Sequence, residues 1–260
     1  MNNKLEFTQK LVYEAKDFIL QKIQSGVHVD TKSARNDFVT NVDQAVETFL
    51  TNAINDKYEN QNFITEEGMV ENSNQGEVWI IDPIDGTTNF IYQKQYFAIS
   101  IAYYEDAKPV FGIVYDVMAD EMFVGIHGEG AYLNGKKLEM LDQDETINDV
   151  IYSGGLSFSK YFNEDPIAFN SKIIAHRNLG SAAIEICHIA SGRLHVYFAR
   201  TLNLWDVGAA LIILAEVGGH WRFGHEIDSL NLQNNKALFL GASSTNIYNY
   251  MDGILKPEVI

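Results

Sequence analysis

The chain is poor in cysteine, proline and basic residues, and it has no long apolar run. Its single Cys187 can form neither an internal disulfide nor a multi-cysteine zinc site. Four prolines in 260 residues, with no repeats or low-complexity tracts, leave no flexible linker to separate independent units. Lys and Arg number 19 against 35 Asp and Glu, a net charge of −16 that repels a phosphate backbone and argues against a nucleic-acid partner. No stretch approaches the roughly 18–20 apolar residues of a membrane helix, so no membrane partner is expected. The N-terminal MNNKLEFTQKLVYEAKDF is amphipathic and charged, without a signal-peptide core, which predicts a cytoplasmic protein. What is present, 46% hydrophobic and 21% charged residues, is ordinary globular composition with enough length for a sizeable core. The open question is whether the acidic excess is only solvated surface or is partly gathered to hold a cation.

Leu5, Leu11, Val12, Ala15, Phe18, Ile19 and Ile23 recur at helical spacing, predicting a helix over the first 25 residues that stops near Gly26. A polar loop follows, Asp30 to Asn36. Val46, Phe49, Leu50, Ala53 and Ile54 then mark a second helix with Asp43 as N-cap. Phe63–Thr65 and Val78–Ile81 read as buried strands. The runs Tyr96–Tyr104, Val110–Val117 and Met122–Ile126 follow at hairpin distances, with a turn at Asn134-Gly135. Such short connections predict an antiparallel meander. After about Asp149 strands and helices alternate: a strand at Val150–Ser153, a helix capped by Ser181, and a strand at Leu194–Phe198. A helix at Val207–Val217, a strand at Ala237–Leu240 and a helix at Thr245–Leu255 complete the pattern. The expected fold class is α/β, a largely antiparallel sheet in an N-terminal lobe (1–145) packed on a mixed α/β lobe (146–260).

The informative segment is WIIDPIDGTTNF, residues 79–90. A buried strand runs into two carboxylates three residues apart. Pro83 is expected to end the strand's ladder, and Gly86 to permit a sharp turn. Oxygen ligands crowded at the end of a rigid strand suit a hard divalent cation, and the N–H groups that follow suit a phosphate. Taken alone, Asp-Pro-Ile-Asp-Gly is more often a turn whose aspartates bond their own backbone. Glu66-Glu67 after the preceding strand and Trp205-Asp206 at another strand-to-helix transition shift that balance toward a site. Asp206 alone would read as a helix cap. No Walker A, EF-hand, dinucleotide or H-E-x-x-H motif is present, and the seven histidines lack ligand spacing.

The segment WIIDPIDGTTNF, with LWDVGAALIILAEVGG, FITEEG and LGSAAIEIC, resembles the signature motifs of the inositol monophosphatase family, in the superfamily that includes fructose-1,6-bisphosphatase. The resemblance implies a layered αβαβα sandwich, usually homodimeric, catalysing Mg²⁺-dependent, lithium-sensitive phosphomonoester hydrolysis. It implies that Glu66, Asp82 and the Ile84 carbonyl hold a first Mg²⁺, and Asp82, Asp85 and Asp206 a second. Glu66 lies where a third, loosely hydrated ion is reached. Thr87 matches the hydroxyl that positions the attacking water, and Asp43 its acidic partner. The implied substrate- and phosphate-binding set is Asp85, Gly86, Thr87, Gly180, Ser181, Ala182, Arg200 and Asp206. The chemistry agrees: four carboxylates alone repel a phosphate dianion and become useful only with divalent cations beside them.

One departure concerns the substrate. Inositol-specific members carry an acidic residue seven positions before the second-motif aspartate, where this chain has Ala199 followed by Arg200. Loss of that carboxylate, with the Arg200 cation nearby, should make the site tolerate a more anionic substrate; the competing reading is that Arg200 points to solvent. The candidates are inositol 1-phosphate and NADP. The alternatives are a 3′(2′),5′-bisphosphate nucleotidase, a fructose-1,6-bisphosphatase, or a catalytically silent metal- or phosphate-binding protein. Lys32, in the polar loop, resembles a family position on a lid near the third ion; the competing reading is an exposed lysine with no role.

Overall fold

The computed structural model describes residues 2–25, 29–31, 38–71, 73–155 and 158–259; Lys32 and most of the polar loop lie outside them. Leu11, Val12, Ala15 and Ile19 form the buried stripe of α1 (Asn2–Ser25). A short antiparallel pair, β1 (Val29–Thr31) and β2 (Phe38–Thr40), leads into α2 (Asn41–Lys57). The N-cap of α2 is Thr40, not Asp43: Asp43 is the third helical residue and closes a capping box with Thr40.

A seven-stranded sheet follows, made of β3 (Asn62–Thr65), β4 (Glu77–Asp85), β5 (Ala98–Glu105), β6 (Lys108–Asp116), β7 (Glu121–Ile126), β8 (Gly130–Leu133) and β9 (Lys136–Lys137), with the six-residue helix α3 (Thr87–Tyr92) between β4 and β5. From β4 to β9 the strands pair antiparallel with their neighbours in sequence, as the short connections require, while β3 lies parallel to β4. Pro83 does not end β4. The strand carries one extra residue between the pairs Asp82↔Ser100 and Asp85↔Ala98, and this bulge absorbs the missing N–H. Tyr96 lies outside β5 with a positive φ of 53°.

The second sheet has six strands: β10 (Ile151–Gly154), β11 (Ala175–Arg177), β12 (Val196–Asn203), β13 (His220–Phe223), β14 (Glu226–Ile227) and β15 (Lys236–Ala242), in the order β11-β10-β12-β15-β13-β14. Its helices are α4 (Phe158–Tyr161), α5 (Pro166–Asn170), α6 (Ala182–Ala190), α7 (Leu204–Ala215) and α8 (Thr245–Ile254). Strand β12 is longer than the apolar run Leu194–Phe198 suggests. It continues through a bulge after Ala199, because pairing with β15 resumes at Leu202↔Ala237.

Alternation along β4 sets the layers. Trp79 and Ile81 pack with α1 and α2, while Val78 and Ile80 face the opposite way onto α6 and α7. Those two helices also cover Phe223 and Phe239 of the second sheet, whose other face, with Val196, Phe198 and Leu240, packs on α8. The order is helix, sheet, helix, sheet, helix: the expected αβαβα sandwich. Two glycines bring α7 unusually close to the first sheet. A Cβ on Gly112 would lie 2.3 Å from the Ala209 carbonyl oxygen, and one on Gly125 would lie 2.8 Å from Ile213 Cα. That approach holds the body of α7 against β6 and β7, and a Cβ on Gly208 of α7 would lie 3.2 Å from Ile80 Cγ2 of β4.

Candidate active site

The end of β4, its bulge and the start of α7 bring three aspartates together. One carboxylate oxygen each from Asp82, Asp85 and Asp206 lies within 4.8 Å of the others. Asp82 and Asp85 are buried and Asp206 is half-buried. Burial raises the Asp82 carboxyl well above its ordinary range, and the negative charges of Glu66, Asp85 and Asp206 push the same way. Asp206 is likewise raised, by burial first and then by Asp85. Asp85 reaches about 6, because burial outweighs hydrogen bonds from the Ser181 hydroxyl and the Ala183 N–H, the latter at 2.8 Å. Buried Asp82 and Asp85 and half-buried Asp206, with the charge of Glu66 acting on all three, form an all-oxygen donor set of the kind a hard cation takes. A separation of at most 4.8 Å is compatible with the roughly 4 Å across an ion with bonds of about 2.1 Å.

Local turns set each side chain. Asp82 Oδ1 accepts the Ile84 N–H at 3.0 Å, so the self-bonding turn coexists with the cluster. Gly86 has φ +92°, and a Cβ there would lie 2.9 Å from the Tyr96 carbonyl oxygen. Only glycine suits that position. No side chain caps α3, which Gly86 precedes. Thr87 Oγ1 stands 3.3 Å from the Ile84 carbonyl and 3.5 Å from Asp43 Oδ1. Asp43 is fully buried, and burial raises its carboxyl to about 6 against hydrogen bonds from Thr40. Asp206 is not the cap of α7. Asn203 is, and Asp206 Oδ2 accepts the Asn203 N–H at 2.7 Å.

The family model for the inositol monophosphatase family matches residues 2–226. The chain belongs to the inositol monophosphatase family. It is thereby a phosphomonoester hydrolase of a Mg²⁺-using family. Among its curated relatives is the inositol-1-monophosphatase of Bacillus subtilis, 36% identical over 220 residues, 82% of this chain and 83% of that one. Inositol monophosphatase II from Staphylococcus aureus MSSA476 superposes with TM-score 0.81 at 33% identity, over 96% of this chain and 92% of that one. A 2′AMP-bound structure named SaIMPase-II reaches TM-score 0.83 at 32% identity, over 99% and 96% of the two chains.

Within this family fold the remaining expected residues fall in several places. Ser181 and Ala182 are buried at the start of α6, whereas Gly180 is exposed, and the Ser181 hydroxyl donates to Asp85 while its oxygen accepts the Ile184 N–H. Asn89 ties the segment before β5 to the segment before α6: its Nδ2 donates to the carbonyls of Tyr96 and Leu179 at 2.8 and 2.7 Å. Arg200 is exposed on the bulge of β12 and makes no hydrogen bond or ion pair among the described residues. The reading by sequence passed over two buried glutamates. Glu47 accepts the N–H groups of Glu67 and Met69, and Glu185 accepts those of Leu179 and Gly180. The signal was there for Glu47, because Asp43 and Glu47 put like charges one turn apart on the apolar face of a helix.

Proposed function

We propose that this chain hydrolyses inositol 1-phosphate and the 2′-phosphate of nucleotides such as NADP. The observation that carries the reading is the convergence of Asp82, Asp85 and Asp206 beside the Asp43–Thr87 pair. Glu66, Asp82 and the Ile84 carbonyl would hold one Mg²⁺, and Asp82, Asp85 and Asp206 another, with Glu66 also near a third. Bound there, Mg²⁺ would supply positive charge to the phosphate and leaving oxygen and acidify a water. Thr87 Oγ1, held between Asp43 and the Ile84 carbonyl, orients the attacking water, and Asp43 receives the proton through it. With a carboxyl near 6, Asp43 is ionised and able to accept at pH 7.5. The Gly86 and Thr87 N–H groups, at an uncapped helix start, hold phosphate oxygens.

The nucleotide half of the reading draws on the 2′AMP-bound relative and on Ala199, where a carboxylate would repel a second anionic group. Arg200, free of ion pairs among the described residues, is available to that group. The lobes 1–145 and 146–260 act as one catalytic unit, consistent with the hydrogen bond from Ser181 to Asp85. A cytoplasmic homodimer belongs to the same reading; no described helix is long and apolar enough to cross a membrane.

The deciding experiment is kcat/KM with Mg²⁺ for inositol 1-phosphate, NADP, fructose 1,6-bisphosphate and 3′-phosphoadenosine 5′-phosphate, with Ala199→Glu alongside. Preference for the first two supports the reading. Preference for either bisphosphate, or no gain of inositol phosphate over NADP in Ala199→Glu, overturns the substrate assignment.

A further inference from the structure

Glu47 is fully buried on α2 and is not one of the three clustered carboxylates. Oε2 accepts the Glu67 N–H and Oε1 accepts the Met69 N–H, each at 2.7 Å. These amides belong to the turn after β3, where Gly68 has a positive φ and Met69 is exposed. The turn therefore extends into solvent while a buried carboxylate grips its backbone. Glu66 immediately precedes the first gripped amide. One turn earlier on the same helix, Asp43 meets Thr87. A single helix thus fixes both the hydroxyl of Thr87 and the backbone that carries Glu66.

We propose that Glu47 is a positioning residue that sets Glu66 against Asp82 and thereby sets the affinity of the site for Mg²⁺. This rests on the assignment of Glu66 as a metal ligand. Two anionic oxygens match two N–H donors; an amide in their place offers one acceptor and turns its own N–H₂ toward the other donor. Glu47→Gln keeps the volume and removes the match.

Calorimetric Mg²⁺ titration, amide exchange and turnover test the idea on the intact protein. Glu47→Gln is expected to weaken Mg²⁺ binding about tenfold or more, as loss of a ligand-orienting contact does. At saturating Mg²⁺ its kcat is expected to stay within about twofold, the pattern of a lost binding contribution. In the metal-free variant the Glu67 and Met69 amides should exchange faster while Ile99 and Ile101 in β5 do not. Glu216→Gln serves as the control for a purely mechanical role. Glu216 grips the Gly128 and Gly130 N–H groups at 2.8 Å in a turn outside the site, and this variant should keep wild-type Mg²⁺ affinity. If Glu47→Gln binds Mg²⁺ like wild type while Glu66→Gln binds it weakly, the positioning role is wrong and the ligand assignment survives. If Glu66→Gln also binds normally, both fall. Faster exchange throughout β5, with Mg²⁺ affinity lost only in proportion to unfolding, would reduce Glu47 to a structural part and overturn the proposal.

Discussion

Asp85 joins two parts of the site through its side chain: it belongs to the aspartate cluster and receives hydrogen bonds from Ser181 and Ala183 at the start of α6. Asp85→Asn keeps the shape and one acceptor but removes a charge from the donor set. Steady-state assay should show kcat/KM lower by about 10³-fold or more, a loss near 4 kcal/mol of transition-state stabilisation. Turnover at the wild-type rate would remove Asp85 from the site. Asp43 gives a prediction with a sign. Burial holds its carboxyl near 6, so the proton acceptor behind Thr87 is ionised above that pH and neutral below it. At saturating Mg²⁺, kcat should fall on the acid side as Asp43 takes up a proton, at a pH below about 6 because the neighbouring cations favour its ionised form. Asp43→Asn should lower kcat about 10²-fold at pH 7.5, a common size for lost base catalysis, and flatten that acid limb. An unchanged limb would assign it to another group.

Helix α7 contributes Asp206, and its height above the first sheet is fixed by glycines rather than by the aspartate's own neighbours. Gly112→Ala puts a methyl 2.3 Å from the Ala209 carbonyl oxygen, so the helix must move away from β6. The expected cost is about 1–3 kcal/mol by denaturant titration, typical of overpacking. Weaker Mg²⁺ binding should accompany it, because Asp206 moves with the helix. Loss of stability with intact Mg²⁺ affinity would show that the N-terminus of α7 is held independently. The contrast between glycine and aspartate also explains what the sequence could reveal. WIIDPIDGTTNF was legible because the strand, the two aspartates and the turn glycine are contiguous. The body of α7 was legible from its long apolar run, but its start was placed at Val207, three residues late, because Asp206 looked like its cap. The bulge at Pro83 was not, since proline normally ends pairing and here an extra residue absorbs its missing N–H. Asp43 and Asp206 looked like caps because acidic residues favour helix starts. Thr40 and Asn203, each three residues earlier, take that place, and the aspartates are thereby turned toward the site. Strands β13 and β14 and helices α4 and α5 were missed because they are short and draw their stability from packing. The exposed Arg200 follows from a bulge in β12 that no local pattern announces.

At the scale of the whole molecule, the charge of −16 divides into a solvated surface and a small buried group that costs stability when ionised. Asp43 and Asp85 titrate near 3.8 when unfolded and near 6 in the fold, and Asp82 and Asp206 are raised as well. Between these values the native state keeps protons that the unfolded chain has released. The contribution of Asp43 and Asp85 is therefore fully present below about pH 4 and is lost as pH rises through about 6 in the metal-free protein, and that of Asp82 and Asp206 changes with pH in the same direction. Mg²⁺ requires the ionised form, so its stabilisation should run the opposite way with pH. At a free concentration a hundredfold above its Kd, one ion adds about 2.7 kcal/mol. For a chain of this size that is on the order of 5–10 °C in Tm. Calorimetric scans with and without Mg²⁺ should show this shift at pH 7.5 and little of it at pH 4.5. NaCl of matched ionic strength should not reproduce it, since screening acts mainly on the exposed charges. Asp85→Asn should abolish most of the Mg²⁺ shift while raising the metal-free Tm at pH 7.5, because one source of buried repulsion is gone. An equal shift at both pH values, or one matched by NaCl, would mean that Mg²⁺ acts on the acidic surface and not on this cluster.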